Sequence, residues 1–241
     1  MNKYLKGFAL AWNMLSILPF FKVHDFYKGI NGYGVMFYPL VGFLLGALLY
    51  GSYTLLSPFF PAAHLGIIIF VLWVILTGAL HLDGFADTVD GLFVDKSRSL
   101  EVMKDPHNGG MGMLFSGTFL IAKASSLAVF DAFYLLPIVL MLSRLTVVYF
   151  IYFSPYVSKN GMSSMAKEEL KLWQVFIASL YVLVLLCLFE SLFLFLFTLF
   201  ISFVISAFFT KRYGGFTGDI YGFSIEVIEL LLLNVIVAGA V

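Results

Sequence analysis

Seven stretches of the chain are almost wholly apolar, at about 33–56, 65–82, 111–130, 132–153, 172–189, 191–209 and 225–241. Several run to about 18–20 residues, which at about 1.5 Å rise per residue crosses a hydrocarbon layer of about 30 Å. The pattern predicts an all-α, polytopic integral membrane protein with about seven transmembrane helices. The fifth and sixth stretches abut, so Glu190 and Ser191 must make a tight turn. The last is the shortest and ends with the chain.

Residues 1–20 read differently. Lys3 and Lys6 open an apolar run that Asn13 and Ser16 interrupt. This predicts an amphipathic helix in the membrane surface, with Trp12 near the headgroups and Pro19 at its end. Packing of this helix inside the bundle is the alternative. No small-residue cleavage site follows it, so a signal peptide is not expected.

Composition supports the membrane reading: 61% of residues are apolar and 12% are charged, against about 25% charged in soluble domains. Repeats and linkers are absent, so residues 1–241 read as one membrane domain. No basic patch of the density nucleic acid requires is present. The single cysteine, Cys187, excludes a disulfide framework within one chain.

Charge then orients the helices. Threading the chain through seven spans puts twelve of the fourteen basic residues on one side, among them Lys96, Arg98, Lys104, Lys159, Lys167, Lys171, Lys211 and Arg212. Basic loops stay in the cytoplasm, so the N-terminus is expected inside and the C-terminus outside. The other two basic residues, Lys123 and Arg144, fall inside the third and fourth spans. Charges there are costly and face the bundle interior or a polar cavity. Snorkelling to the headgroups or a structural pair with a carboxylate is the bland account.

Acidic residues gather on the cytoplasmic side. Six of the fourteen lie between positions 83 and 105, and HLDGFADTVDGLF (81–93) spaces Asp83, Asp87 and Asp90 at i, i+4 and i+7. A helix would place all three on one face. Like charges this close repel, and hard oxygen ligands suit Mg²⁺ or Mn²⁺ carrying a phosphate. A solvated helix end at the membrane boundary would account for one or two of them. His81 could hold a carboxylate, donate to phosphate or act as an acid-base group. Asp105 begins a polar turn, DPHNGG, before the third span and is a further contact for a ligand. His24 and His64 have no partner motif.

A second constellation, RYGGFTGDIYGFSIEVIE (212–229), lies on the same expected side. Its Gly215, Thr217 and Gly218 could cradle an anion through backbone N–H groups, and Asp219 could reach a metal. It lacks the lysine of a P-loop. Glu226 and Glu229 follow, and Glu229, before LLLLNVIV, needs a partner if ionised. Lys123 and Arg144 are expected to counter the charge of a bound polyphosphate at this joint site.

HLDGFADTVDGLF, LEVMKDPHNGGMG (100–112), GGFTGD (214–219), YPLVGFLLG (38–46) and the pair Lys123 and Arg144 together resemble the cobalamin synthase family over nearly the whole chain. The resemblance implies a Mg²⁺-dependent, multi-pass enzyme of the bacterial inner membrane with its active site facing the cytoplasm. Such an enzyme joins adenosylcobinamide-GDP to α-ribazole or its 5′-phosphate, giving adenosylcobalamin or its phosphate and GMP. By that likeness Asp83, Asp87 and His81 are the catalytic candidates, and Asp83, Asp87, Asp90 and Asp219 the metal ligands. Lys123, Arg144, Asp105, Gly215, Thr217 and Gly218 are the substrate-binding candidates. Membrane lipid surrounds such a protein, and a homo-oligomer is compatible with it. A CDP-alcohol phosphotransferase is the alternative, but Asp87 and Thr88 stand where that class has alanine and arginine. An ion-coupled transporter running through Lys123, Arg144 and Glu229 is the third reading; the paired, broken repeats common in transporters are not evident.

Overall fold

A computed structural model describes residues 2–21, 23, 26–105, 107, 109–158 and 162–239; Lys22, His24, Pro106, Asn108 and Lys159 lie outside this set. Among the described residues there are twelve α-helices, one 3₁₀ turn (Phe133–Leu135) and no strand. In chain order the helices are α1 (Lys3–Leu15), α2 (Ile30–Met36), α3 (Tyr38–Leu56), α4 (Ala62–Thr77), α5 (Leu80–Leu92) and α6 (Lys96–Val102). They continue with α7 (Gly110–Ala128), α8 (Leu136–Phe153), α9 (Met162–Glu169), α10 (Leu172–Leu188), α11 (Leu192–Tyr213) and α12 (Gly218–Val237).

Five of these, α8 taken with its 3₁₀ turn, are long and apolar enough to cross a bilayer. The pairs α4–α5 and α9–α10, bent by 85° and 97°, raise the number to seven if each pair is one span. Seven spans by pattern therefore become five straight helices and two broken ones. Each difference has a local cause. The stretch 33–56 divides into α2 and α3 because Pro39 enters the first turn of α3 without an N–H. The stretch 65–82 stops at Thr77, where Gly78 (φ 61°) and Ala79 (φ 54°) turn left-handed. Their N–H groups bond to the carbonyls of Ile75 and Val74, closing α4 in a Schellman turn. After that turn α5 runs at 85° to α4 and packs against α7 and α12. The last span begins at Gly218, seven residues earlier than the apolar pattern places it, so Asp219, Glu226 and Glu229 belong to one helix.

The bundle is built around α8. Of its most apolar window, taken with the 3₁₀ turn, 89% is buried, against 28% for α7 and for α11, whose outer faces expose Phe200, Phe203 and Phe208. Such exposed apolar faces fit a multi-pass membrane protein. Close crossings need small residues, as between helices in membranes generally. A Cβ at Gly42 or Gly46 of α3 would collide with the backbone of α8 at Leu140 and Leu136, and one at Gly66 of α4 with Leu127 of α7. Hydroxyl pairs tie α8 to its neighbours: Thr146 with Ser202 at 3.1 Å, Tyr149 with Ser179 at 3.0 Å and Ser154 with Ser206 at 3.3 Å. Such interhelical bonds contribute about 0.6–2 kcal/mol each.

The N-terminal segment forms a helix, shorter than expected and partly packed against its neighbours. It ends at Leu15 rather than near Pro19, with Ser16 N–H donating to Trp12 O. Lys3, Tyr4 and Leu5 are exposed and Lys6 is half-buried, while Gly7, Ala9 and Ala11 are buried, Gly7 so close to Tyr33 of α2 that a Cβ would not fit.

The polar segments collect at one end of the bundle. Lys167 of α9 donates to the carbonyls of Tyr152 and Ser154 at 2.7 and 2.9 Å, capping the end of α8. Glu169 accepts from Asn31 N–H and its side-chain amide, both at 2.9 Å. Arg212 donates to Leu92 O at 3.0 Å, joining the end of α11 to that of α5.

Candidate functional site

The site is founded on the crossing of α5 and α12. At the closest approach each helix presents a glycine: a Cβ on Gly84 would lie 2.9 Å from Asp219 O, and one on Gly222 3.0 Å from His81 O. Two facing glycines therefore bring the HLDGFADTVDGLF and GGFTGD segments together, as the sequence led us to expect of one cavity.

The aspartates on α5 do not share one environment. Asp83 is exposed, Asp87 half-buried and Asp90 buried. Asp83 and Asp219 line one cavity of about 180 Å³, and Asp90 and Asp105 line a neighbouring hollow of about 370 Å³. Asp87 feels Asp83, Asp219 and Asp90 together; burial first, then those three charges, raise its pKa to about 7. An uncompensated carboxylate cluster of this kind offers the hard oxygen donors and negative charge a divalent cation needs. Among the described residues no three His, Cys, Asp or Glu side chains close into a ready-made metal cage, so water and substrate oxygens would have to complete the shell.

Asp90 has another partner. Its two carboxylate oxygens accept from Gly109 N–H at 2.7 Å and Gly112 N–H at 2.8 Å, at the start of α7. A carboxylate there satisfies two N–H groups that the helix leaves open and complements its dipole. Side chains at Gly109 or Gly112 would strike that carboxylate. Gly109 and Gly112 are therefore required by Asp90, while Gly110 between them has open space. We expect Asp90→Asn to lose about 1–3 kcal/mol of stability, read as a lower melting temperature in detergent, while keeping measurable activity at low temperature.

The GGFTGD segment also divides its labour. Gly214 (φ 80°) ends α11, and a Cβ on Gly215 would collide with Pro155 O. That approach allows the bridge in which Phe216 N–H donates to Pro155 O and Val157 N–H to Phe216 O, each at 2.9 Å. Thr217 is the N-cap of α12, accepting from Ile220 N–H at 3.3 Å, and its hydroxyl also lies 3.2 Å from Asp219 Oδ2. Gly218 and Asp219 face the cavity with Asp83. Asp105 is exposed and bonded to the His107 ring at 2.8 Å and its N–H at 3.0 Å; those bonds hold its pKa below the usual value.

Lys123 and Arg144, expected to face a phosphate, instead face carboxylates inside the bundle. Lys123 Nζ lies 2.7 Å from Glu226 Oε2 and 2.6 Å from Glu229 Oε2, with its charge 4.2 Å from the Trp73 ring centre. Arg144 Nη1 pairs with Glu229 Oε1 and donates to Ser143 Oγ at 2.8 Å. Two cations and two anions neutralise one another there, and both cations are buried among helices, off the cavity that Asp83 and Asp219 line. The partner that Glu229 needs is thus Lys123 with Arg144. The role of Ser143 and the pairing of Glu226 were not legible beforehand, though Glu226 and Glu229 share a helix face at i, i+3.

His81 is buried at the start of α5 in the same cavity as Asp83 and Asp219. Tyr221, which the motif reading passed over, joins it there; its only sequence signal is its place two residues after Asp219.

A family model described as cobalamin-5-phosphate synthase matches residues 7–237. An adenosylcobinamide-GDP ribazoletransferase from Acinetobacter baumannii (strain ACICU) is 35% identical over 238 residues, covering 94% of each chain. One from Thermosynechococcus vestitus is 37% identical over 206 residues, 84% of this chain and 85% of the relative. One from Desulforamulus reducens is 34% identical over 242 residues, 95% of each. No solved structure matches the chain.

Proposed function

The chain belongs to the cobalamin-5-phosphate synthase family, and on that premise we infer that it is the transferase of final cobalamin assembly, joining adenosylcobinamide-GDP to a ribazole acceptor. The observation that carries the site assignment is the glycine-to-glycine crossing of α5 and α12, which sets Asp83 and Asp219 on one cavity beside Asp87.

A ribose hydroxyl of the acceptor attacks the phosphorus attached to cobinamide. An O–P bond forms, the phosphoanhydride bond breaks, and GMP leaves with the bonding pair. Asp83, exposed at the cavity rim, is placed to accept the hydroxyl proton. Asp83, Asp87 and Asp219 are the residues that would hold Mg²⁺. When bound, that ion would supply neutralisation of charge on the diphosphate oxygens, which is most of what phosphoryl-type transfer asks of a protein. Asp90 is left out of this set because both its oxygens serve α7. Lys123 and Arg144 hold α7, α8 and α12 in register rather than contacting phosphate.

The polar end of the bundle faces the cytoplasm of the bacterial inner membrane, where the nucleotide substrate is made. Basic residues at that end, including Lys96, Arg98, Lys211 and Arg212, support this side. Membranes holding the protein are expected to form the cobalamin product and GMP from adenosylcobinamide-GDP, α-ribazole and Mg²⁺. Chelation by EDTA should stop product formation and added Mg²⁺ restore it. Full turnover in EDTA would remove the metal from this account.

A further inference from the structure

The cavity of about 180 Å³ shared by Asp83 and Asp219 extends away from them between α1, α3, α5, α8 and α12. Leu15, Tyr38, Val147, Ile151 and Ile225 form its apolar walls. Two of the residues lining it, 5% and 4% exposed, each carry a buried polar atom with no hydrogen-bond partner among the described residues: His81 Nδ1 and the Tyr221 hydroxyl. Buried polar atoms are nearly always paired, and an unpaired one costs about 1–3 kcal/mol. Two on one apolar cavity, beside the reacting carboxylates, are the marks of a site that a ligand completes.

We propose that this cavity is the acceptor subsite and receives the bicyclic aromatic base of the ribazole, with Tyr221 and His81 as its polar contacts. The inference rests on the transferase reading and adds to it which substrate lies where. The chemistry selects among the reaction's parts. A benzimidazole riboside buries a flat apolar ring and retains one free ring nitrogen, which the Tyr221 hydroxyl can meet as donor. Its ribose then leads out towards Asp83 and Asp219, which line the same cavity as His81. Guanine carries several polar groups on its edge; two protein atoms would leave most of them unpaired in an apolar wall. The corrin macrocycle is too large for the volume. A lipid acyl chain would use neither polar atom.

The test is equilibrium dialysis of labelled α-ribazole, without the second substrate, against the purified full chain in detergent. Tyr221→Phe removes one oxygen and is expected to weaken α-ribazole binding about tenfold. Val147→Phe fills the cavity and is expected to weaken it at least as much. Binding of adenosylcobinamide-GDP should stay within twofold in both. Unchanged α-ribazole affinity in Tyr221→Phe, or a loss that falls on adenosylcobinamide-GDP instead, overturns the assignment. So does a wild-type chain that binds no α-ribazole yet turns over both substrates. Should Val147→Phe fail to fold, Tyr221→Phe alone decides. Absence of product from wild-type membranes supplied with both substrates would sink the transferase reading itself, whatever the dialysis gives.

Discussion

Replacing Asp87 with alanine is expected to reduce product formation by about a thousandfold or more while the protein remains in the membrane in normal amount. The magnitude follows from what the carboxylate does in the proposed site. Losing one preorganised electrostatic contact to a reacting group costs about 10²–10³ in rate. Losing a ligand of the cation that neutralises the diphosphate should cost at least that. Stability should not fall with it, because Asp87 makes no side-chain hydrogen bond among the described residues, and its half-buried charge is opposed by Asp83, Asp219 and Asp90. Removing a repelled charge relieves the fold.

Product assay in washed membranes, with protein quantified in the same fractions, checks this. Activity within tenfold of wild type would take Asp87 out of the mechanism. The contrast with Asp90→Asn sharpens the test, since that variant should lose stability and keep activity. The pKa of Asp87 adds a sign. With its pKa raised to about 7 in the metal-free protein, the carboxylate carries a proton below that pH, and Mg²⁺ must displace it. The half-saturating Mg²⁺ concentration should therefore rise as pH falls from 7 to 6 and level off above 8.

Why the sequence was informative about some of this and not the rest comes down to the range of the forces involved. The spans were legible because hydropathy is summed over many residues, and α7, α8, α10 and α11 match their apolar stretches closely. Breaks were harder to see, because Gly78 with Ala79 and Pro39 act through single backbone torsions that an apolar average hides. The i, i+4, i+7 spacing put the three aspartates on one helix, as α5 bears out. It could not divide them between two hollows, because the N–H groups that claim Asp90 lie nineteen and twenty-two residues away. The same holds for Lys123 and Arg144. Their cost in an apolar span signalled that a partner must exist, but a phosphate and a glutamate satisfy that demand equally until α7, α8 and α12 are placed together.

That buried cluster carries the second large effect. Glu229→Leu is expected to destabilise the protein by about 3–5 kcal/mol, the usual cost of stranding one partner of a buried ion pair. Arg144 is wholly buried, and among the described residues its Nε and Nη2 find no partner and Glu229 is the only carboxylate bonded to its guanidinium. Removing that carboxylate leaves a cation in the centre of the bundle with only Ser143 Oγ and the Leu140 carbonyl in reach. Lys123 fares better, because Glu226 remains at 2.7 Å. The damage should therefore be specific to the arginine, which makes it reversible: Arg144→Met in the Glu229→Leu background removes the stranded charge and leaves Lys123 with Glu226 as a neutral pair. Replacing a buried pair by apolar groups of similar volume is often neutral or stabilising, so the double variant should recover most of the melting temperature that Glu229→Leu loses, and recover activity with it. A double variant that stays as unstable as the single one would mean that the cluster holds α8 and α12 by shape rather than by charge. Recovered stability without recovered turnover would return Arg144 to the phosphate-binding role that its present contacts argue against.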